Sequence, residues 1–513
     1  MKLRLLVVAG LLLLAPLGCG RIGTLGRGPV EPAFREIVID GDTAEWPARA
    51  AAYSDEHYVY VRFTLAAEQI TLQSSPRTVA LFLDIDGNPA TGQVMNDPAL
   101  GGLGVDMVLR FSPPAKNNSP GVGVDLHALD SQGNKTKLSV ADYDIVFAPT
   151  YSSSWYELRI CRTPGTSATA PPISLPTTGL LGPGKVTGVA GVLSSGAALP
   201  LIMACERFEV TTDVVCPGGR RLSDLAPPEK SANAVRIVSW NVLASGALQN
   251  PEPFARILRT LNPDVLLLQE WDQGDAQSVK QWLSKHVNSA PANGASTDIA
   301  WHVIKAPGTM ANGGAVLIAS KFPLTSHEGD RLTCSYKDDD GKTAVKPIRF
   351  VSATAQSPIG PILLGSTHFK SRGFKDSVED RRRMAEAAAI NKYISAGQFP
   401  AIRVIAGDIN LVGSRPPLDL LRAQIDSDGS DLKPADALVL GDAAFYSWRD
   451  PSTPFTPGRL DWLVYSDSTV DANTAFVLDT DRLADPALTR LGLQRDDSRA
   501  SDHLPVVVDL TAK

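Results

Sequence analysis

The stretch IRVIAGDIN, residues 402–410, decides the fold that we expect for the C-terminal half of this chain. Its apolar first part has the length and composition of a buried strand, and Asp408 and Asn410 follow where that strand ends. Side chains two residues apart in a strand point to the same side, so both polar groups face one way. Three other apolar runs end on a polar residue in the same manner, namely VRIVSW before Asn241, DVLLLQ before Glu270 and PILLGST before His368.

Two later runs carry their polar residues at the start. Asp461 opens the run DWLVY, and Asp502 and His503 precede LPVVVDL. If these two strands run antiparallel to the other four, all six polar ends meet at one edge of the sheets. Helical segments are predicted between the strands, which favours an α/β fold. They span residues 253–261, 276–287 and 376–394.

Such an edge would carry the groups that hydrolysis of a phosphoester needs. Glu270, Asn241 and Asp502 offer hard oxygen ligands of the kind that Mg²⁺ prefers, with Mn²⁺ as the alternative. His503 beside Asp461 is a pairing that orients an imidazole and raises its basicity. An attacking water and the phosphoryl oxygens need further partners. These are expected from Asp408, Asn410 and His368.

Seven segments in order resemble the endonuclease/exonuclease/phosphatase superfamily over residues 234–513. The segments are SWNVLASG (239–246), PDVLLLQEW (263–271), GGAVLIASKFPL (313–324), GSTHFKSRG (365–373), VIAGDIN (404–410), GRLDWLVYS (458–466) and SDHLPVVVDL (501–510). The resemblance implies a two-sheet α/β sandwich that cuts phosphodiesters or phosphomonoesters with a divalent metal. It leaves open whether the Asp or the His takes the proton of the attacking water.

The same resemblance implies roles for individual residues. Asn241, Glu270 and Asp502 would lie at the metal, and His503 would pair with Asp461. Asp408 and Asn410 would handle the water and the phosphate, and His368 would bind the phosphate. Leu243 departs from abasic-site repair enzymes, which carry a small polar or acidic residue there, so repair of DNA is disfavoured.

The N-terminal half has strand-like runs at 58–65, 78–86, 105–111 and 155–162 with polar turns between them, which predicts an all-β sandwich over 35–216. Four segments resemble family-nine-like carbohydrate-binding modules: IDGDTAEW (39–46), SDEHYVYVRF (54–63), LFLDIDGNPATG (81–92) and GVDMVLRF (104–111). The resemblance implies a glycan-binding or spacer module, with Ca²⁺ at Asp84, Asp86 and Asn88. We favour the alternative that DIDGN is a polar turn.

The first nineteen residues have the pattern of an export signal. Lys2 and Arg4 precede an apolar run too short to span a membrane permanently. LAPLGCG resembles a lipoprotein signal, which implies a lipid on Cys19 as the protein's contact with a membrane, in the periplasm or at the outer surface. Cleavage by an ordinary signal peptidase, and hence secretion, is the alternative. Residues 20–34 are expected to form a tether and residues 217–233 a linker.

Whole-chain composition is that of a soluble globular protein, with 43% hydrophobic residues and a net charge of −6 over 513 residues. Cys161, Cys205, Cys216 and Cys334 match no zinc pattern and are interpreted as structural. Basic residues after His368 are interpreted either as a phosphate-facing patch or as a solvated helix face with pairs such as Arg382–Glu386. The basic residues are Lys370, Arg372, Lys375, Arg381, Arg382 and Arg383.

The sequence therefore predicts an exported, monomeric nuclease or phosphodiesterase that acts on nucleic acid. One alternative keeps the chemistry and changes the substrate to a lipid or inositol phosphate. The other alternative is a surface glycan-binding protein with a vestigial hydrolase domain.

Overall fold

The predicted strands of the N-terminal part form a β-sandwich with one shared core. The computed structural model describes residues 37–46, 51–65, 69–114, 121–164, 184–193, 202–212, 221–288, 299–306, 314–327 and 331–513. One of its sheets has four strands and the other has six, and two further short strands form a pair. Apolar residues of both sheets, such as Phe63, Leu83 and Leu158, share one buried cluster.

The strands are β1 (Ala52–Ser54), β2 (Tyr58–Thr64), β3 (Ser74–Ser75), β4 (Val79–Asp84), β5 (Met107–Phe111), β6 (Gly121–Val122), β7 (Val124–Leu129), β8 (Lys135–Leu138), β9 (Val146–Ala148), β10 (Trp155–Cys161), β11 (Gly184–Leu193) and β12 (Ile202–Thr212). The four-stranded sheet has the order β1-β2-β10-β9 and the six-stranded sheet β12-β11-β4-β5-β7-β8, and β3 pairs with β6.

The C-terminal part consists of two sheets packed face to face with helices outside. The strands are β13 (Val235–Asn241), β14 (Val265–Gln269), β15 (His302–Lys305), β16 (Val316–Ser320), β17 (Leu324–His327), β18 (Thr333–Lys337), β19 (Thr343–Pro347), β20 (Phe350–Ser357), β21 (Gly360–His368), β22 (Ile402–Asp408), β23 (Lys433–Pro434), β24 (Asp461–Tyr465), β25 (Val470–Val477) and β26 (Val506–Ala512). One sheet has the order β15-β16-β14-β13-β26-β25 and the other β17-β20-β21-β22-β24-β23, and β18 and β19 form a separate hairpin.

The helices are α1 (Gly246–Gln249), α2 (Pro251–Leu261), α3 (Ala276–His286), α4 (Val378–Ala396), α5 (Pro416–Arg422) and α6 (Asp485–Leu491), with short 3₁₀ turns at Pro98–Leu100, Thr480–Arg482 and Asp497–Ala500. The three helical segments predicted from the sequence are thus confirmed as α2, α3 and α4. Apolar side chains of the two sheets, among them Ile237, Leu267 and Val404, meet in one cluster between the sheets. This two-sheet α/β sandwich is the predicted fold.

Strand directions bring the polar strand ends to one edge. β13 and β14 are parallel and so are β21 and β22, whereas β26 and β24 run antiparallel to their neighbours β13 and β22. The last two strands therefore run antiparallel to their neighbours, as the sequence analysis required for the six polar strand ends to meet at one edge.

Buried ion pairs connect the two sandwiches, and residues 34–513 cluster as one compact unit. Arg482 of the C-terminal part is bonded to Asp144, and Nη2 of Arg159 donates to Asp442 Oδ2 at 2.7 Å. All four side chains are buried. Separating such a pair would leave a buried charge without its partner, which is costly. The pairs therefore favour one arrangement of the two sandwiches.

Several predictions fall on residues outside the described ranges. These are the export signal at 1–19, the tether at 20–34, and Cys216. Cys161 and Cys334 are both buried. Among the described residues, no helix has both the length and the apolar character required to cross a membrane.

Candidate active site

The polar strand ends lie side by side along one edge of the C-terminal sheets. In one sheet, Asp408 is the register partner of both His368 and Asp461. In the other sheet, Asn241 ends β13 opposite Gln269, which Glu270 follows. The sheets meet where Asn241 Nδ2 approaches Asp408 Oδ2 at 3.3 Å.

Glu270 is the most accessible of the predicted site residues that touch one another. Its side chain is 23% exposed, while that of Asp408 is 3% exposed. Asn241 Nδ2 donates to Glu270 Oε1 at 3.0 Å, and the amide of Ala244 donates to Oε2 at 2.9 Å. Both oxygens are thus held in place, and the carboxylate remains open to an incoming ligand.

A left-handed turn after Asn241 places the Ala244 amide against Glu270. Leu243, Ala244 and Ser245 have φ of 45°, 49° and 66°, and Glu270 itself has φ of 60°. Non-glycine residues in this region cost on the order of 1–3 kcal/mol each and persist where neighbouring contacts enforce them. Here the enforced turn provides a hydrogen bond to the carboxylate at the centre of the site.

Asp408 and Asn410 form one buried hydrogen-bonded pair. The amide of Asn410 donates to Asp408 Oδ1 at 3.0 Å, and its Nδ2 donates to Oδ2 at 2.8 Å. Burial raises the pKa of Asp408 to about 7, although the neighbouring His503 opposes that shift. An aspartate in this state can hold a proton near neutral pH.

His503 is tied to a buried aspartate on its far side. Its Nδ1 lies 2.7 Å from Asp461 Oδ2, which also accepts from Ser447 Oγ at 2.8 Å. Burial disfavours the charged imidazole, but Asp461 and Asp408 outweigh it and raise the pKa of His503 to about 10. Its Nε2 lies 3.6 Å from Asp408 Oδ2, so the two groups are close enough to influence each other's charge.

His368 is a neutral imidazole in the same cluster. Its Nε2 is 3.4 Å from Asp408 Oδ2 and 3.8 Å from Glu270 Oε1. Burial, with help from the adjacent Arg349 and from His503, lowers the pKa of His368 well below its usual range. A neutral ring can donate one hydrogen bond to an oxygen without adding charge.

Asp502 lies next to this group but faces Trp448. The indole Nε1 donates to Asp502 Oδ2 at 2.9 Å, and among the described residues Oδ1 has no hydrogen-bond partner although it is buried. Ser501 Oγ donates to the carbonyl of Asn241 at 2.7 Å, which connects this segment to β13. Buried polar atoms are normally paired, so the free oxygen needs a ligand.

A family model for the Endonuclease/Exonuclease/phosphatase family matches residues 238–503. The chain belongs to the endonuclease/exonuclease/phosphatase family. It is accordingly a hydrolase that acts on ester bonds. Comparison with curated proteins finds no match.

Solved structures that are similar to this chain share little sequence with it. The human Nocturnin catalytic domain is 17% identical, covering 56% of this chain and 97% of its own, with a TM-score of 0.35. An endonuclease/exonuclease/phosphatase from Bacteroides vulgatus is 15% identical, covering 55% and 99%, with a TM-score of 0.36. An AP endonuclease from Archaeoglobus fulgidus is 14% identical, covering 53% and 98%, with a TM-score of 0.33.

Members of this family are typically dependent on a divalent metal, and the acidic groups of the site fit one. Glu270 is accessible and Asp502 Oδ1 is buried without a partner, which is the chemistry of a hard-cation site. Ligand atoms of Asp408, Asp461 and His503 also lie within 4.8 Å of one another. Because Asp461 already binds His503 and Ser447, we interpret that buried trio as a proton-handling group.

Most of the basic side chains of α4 that follow His368 form hydrogen bonds within the protein. Arg382 Nε donates to Glu386 Oε1 at 2.8 Å, as the helix-face alternative predicts. Arg383 is buried and donates to the carbonyls of Lys370 and Arg372. Arg381 reaches Asp339 of the β18–β19 hairpin region at 2.7 Å. The predicted phosphate-facing patch is thereby reduced to Lys370, Arg372 and Lys375.

Three contacts of the site were not predicted from the sequence. Arg349 lies partly buried beside His368, and its Nη2 donates to the carbonyl of Phe369 at 2.8 Å. Ser447 and Trp448 hold Asp461 and Asp502. Arg349 follows PI and precedes the strand FVSATAQS, so its position at a strand start was the available signal.

Proposed function

We propose that this protein is a Mg²⁺-dependent phosphodiesterase, with Mn²⁺ as a substitute, whose preferred substrate is nucleic acid. The observation that carries the proposal is the contact chain from Glu270 through Asn241 to Asp408 and on to the His503–Asp461 pair. Glu270, Asn241 and Asp502 would hold the metal. A bound divalent cation would offset the negative charge that develops on the phosphoryl oxygens.

The protein's own residues would activate water and bind the phosphate. Asp408, whose pKa is raised to about 7, can receive the proton of the attacking water near neutral pH, whereas His503, with a pKa of about 10, can do so only from its neutral form. Asp461 would keep the His503 ring oriented and stabilise its charged form. His368 Nε2 and Asn410 Nδ2 would donate to phosphoryl oxygens, which places hydrogen-bond donors around the phosphorus.

A lipid or inositol phosphate is the second candidate substrate. The supporting observation is Leu243, which is 42% exposed directly after the strand that carries Asn241. The next residue, Ala244, binds Glu270, so an apolar side chain at this point of the turn would suit a substrate with an apolar part. The vestigial alternative has less support, because all eight predicted site residues are present and seven of them, all but Asp502, touch another site residue.

The deciding assay uses the chain without its first nineteen residues, with Mg²⁺ and with chelator. Linear and circular DNA, RNA, sphingomyelin and bis-p-nitrophenyl phosphate would be compared, beside His503→Ala. We expect metal-dependent cleavage of nucleic acid that the variant loses. Turnover of sphingomyelin alone would show that the substrate is a lipid phosphoester. No turnover with any substrate or metal would refute the proposed phosphodiesterase activity.

We also propose that the protein is exported and carries a lipid on Cys19, with the signal at residues 1–19 as support. Incorporation of labelled palmitate that is lost in Cys19→Ala would agree with this, and incorporation unaffected by the substitution would contradict it. A monomer and a glycan ligand for the N-terminal sandwich remain predictions.

For the N-terminal sandwich we propose a Ca²⁺ site at Asp84, Asp86 and Asp106. One carboxylate oxygen of each can lie within 4.8 Å of the others, and Asp84 Oδ1 is buried without a hydrogen-bond partner. Burial together with the other two carboxylates raises the pKa of Asp106 to about 7. Asn88 forms the polar turn that we favoured: its amide donates to Asp86 Oδ1 at 2.8 Å, and its Oδ1 accepts from Ala90.

Added Ca²⁺ should therefore raise the melting temperature, because a ligand that binds only the folded state stabilises it. At about 100 times the dissociation constant the gain is about 2.7 kcal/mol. Asp84→Asn should abolish the shift, whereas Asp130→Asn, at an exposed turn of the same sandwich, should keep it. An equal Ca²⁺ shift in both variants would rule out this site.

A further inference from the structure

The N-terminal sandwich contacts three loops of the hydrolase domain that adjoin site residues. We call them the active-site loops: residues 371–376, which follow His368; residues 410–415, which follow Asp408; and residues 449–459, which precede Asp461. A tethered binding module would have no reason to touch these loops in particular. The contacts therefore indicate a role of the sandwich in the site itself.

One threonine hydroxyl of the sandwich bridges two of these loops. Thr71 Oγ1 donates to the carbonyl of Gly413 at 3.1 Å and accepts from the amide of Lys375 at 3.1 Å. Thr71 is buried. The carbonyl of Gly413 also accepts from the amide of Ser152, another residue of the sandwich, at 2.8 Å.

A buried carboxylate of the hydrolase domain holds the same two loops from within that domain. Asp380 of α4 accepts from the amide of Ser414 at 2.9 Å and from the amide of Asp376 at 3.1 Å. The loops are therefore fixed between Asp380 on one side and Thr71 on the other. In the loop 410–415, the amide of Val412 also donates to the carbonyl of Asn410 at 2.7 Å, which connects the attached part of the loop to a site residue.

The third loop is attached to the sandwich through two of its own backbone groups. Gln73 Oε1 accepts from the amide of Thr456 at 2.8 Å, and the amide of Val124 donates to the carbonyl of Pro454 at 2.7 Å. Trp448, which donates to Asp502, immediately precedes this loop.

We propose that Thr71 is a positioning residue for hydrolysis, through which the N-terminal sandwich fixes the active-site loops, and that the sandwich is a working part of the enzyme. The inference rests on the proposed phosphodiesterase activity for its kinetic test. Small displacements of positioned groups are costly, since a misplacement of about 1 Å can lower a rate by about 100-fold. Thr71 touches no reacting atom, so its effect passes through the loop backbones.

The test compares Thr71→Val, Thr71→Ser and Thr78→Val in the full chain with Mg²⁺ and bis-p-nitrophenyl phosphate. Valine keeps the shape of threonine and removes the hydroxyl, and serine restores it. Thr78 is the matched control, because it is a buried threonine whose hydroxyl donates to Ser112 within the sandwich at 2.7 Å. The readouts are kcat, KM, melting temperature and amide hydrogen exchange over the active-site loops.

We expect Thr71→Val to lower kcat by about 10-fold with KM changed by less than about twofold. Hydrogen exchange should accelerate at residues 371–376 and 410–415, and Thr71→Ser should recover both properties. Thr78→Val should match the unmodified chain in kcat at a similar cost in melting temperature. A Thr71→Val enzyme with unchanged kcat and unchanged exchange would overturn the proposal, as would equal losses of kcat in Thr71→Val and Thr78→Val.

Failure of the proposed function would be recognised separately. If the unmodified chain hydrolyses no phosphodiester, the exchange measurement still decides whether Thr71 holds the loops. Accelerated exchange confined to the two loops in Thr71→Val supports the positioning role, and unchanged exchange refutes it.

Discussion

Glu270→Gln should lower metal-dependent hydrolysis by about 10³-fold, because a metal that offsets phosphoryl charge contributes several kcal/mol and each 1.36 kcal/mol is about tenfold in rate. Glu270 is the accessible carboxylate of the site, held by Asn241 Nδ2 at 3.0 Å and by the Ala244 amide at 2.9 Å. Glutamine keeps the size of the side chain and removes the charge. The measurements are kcat/KM and the affinity for Mg²⁺ by calorimetry.

The matched control is Glu252→Gln, since Glu252 lies on α2 with its side chain 59% exposed. It should retain the activity and the Mg²⁺ affinity of the unmodified chain. Chelation should remove the activity of both the unmodified chain and this control. If Glu270→Gln binds Mg²⁺ as tightly as the unmodified chain, Glu270 is not a metal ligand, and the metal must be sought elsewhere in the site.

The fold could be predicted from the sequence because apolar runs of strand length alternated with helical segments, and six of these runs carried a polar residue at one end. IRVIAGDIN is an example: its apolar part forms β22, and Asp408 and Asn410 emerge at the edge. Strand direction was the one unknown. The antiparallel pairing of β24 with β22, which sets Asp461 opposite Asp408, depends on tertiary packing that a single sequence does not encode locally.

Contacts between distant segments were the part that could not be predicted. Trp448 reaches Asp502 across 54 positions, and Thr71 reaches Gly413 across 342. Neither residue belongs to a motif, and each contact exists only because two segments meet after folding. For a related reason, the basic run of α4 does not form the phosphate-facing patch that was one of the two interpretations. Arg383 donates its hydrogen bonds to carbonyls of a neighbouring loop.

The calcium site that we propose for the N-terminal sandwich shows the same limit at short range. The sequence places Asp84 and Asp86 together, whereas Asp106 reaches the cluster because β5 pairs with β4. Asn88, adjacent in sequence, uses its side chain in its own turn. Register between strands therefore selects the third carboxylate, and spacing in the sequence does not.

Asp461→Asn should lower kcat by about 10³- to 10⁴-fold, by analogy with a Ser-His-Asp triad in which the same exchange leaves the imidazole in the wrong tautomer. Asp461 Oδ2 lies 2.7 Å from His503 Nδ1 and accepts from Ser447 Oγ at 2.8 Å. The amide oxygen of asparagine can keep one of these contacts, but the negative charge is lost. The charged form of His503 then loses its main stabilising partner, while KM should change little.

The pH dependence of stability tests the same charge without catalysis. Asp461 and Asp408 raise the pKa of His503 to about 10 in the folded protein, against an ordinary value of 6.5. The folded state then holds the proton more tightly than the unfolded state. This contribution is complete below about pH 6.5 and is lost as the pH rises towards about 10.

Unfolding by urea at about pH 6 and about pH 9, with chelator present, should therefore show a larger loss of stability for the unmodified chain than for Asp461→Asn. Asp426→Asn is the control, because Asp426 is a buried aspartate that binds Ser468 away from the site. It should keep the pH dependence of the unmodified chain. If Asp461→Asn also keeps it, and kcat falls less than about tenfold, His503 does not depend on Asp461 for its charge, and Asp408 becomes the group that receives the proton.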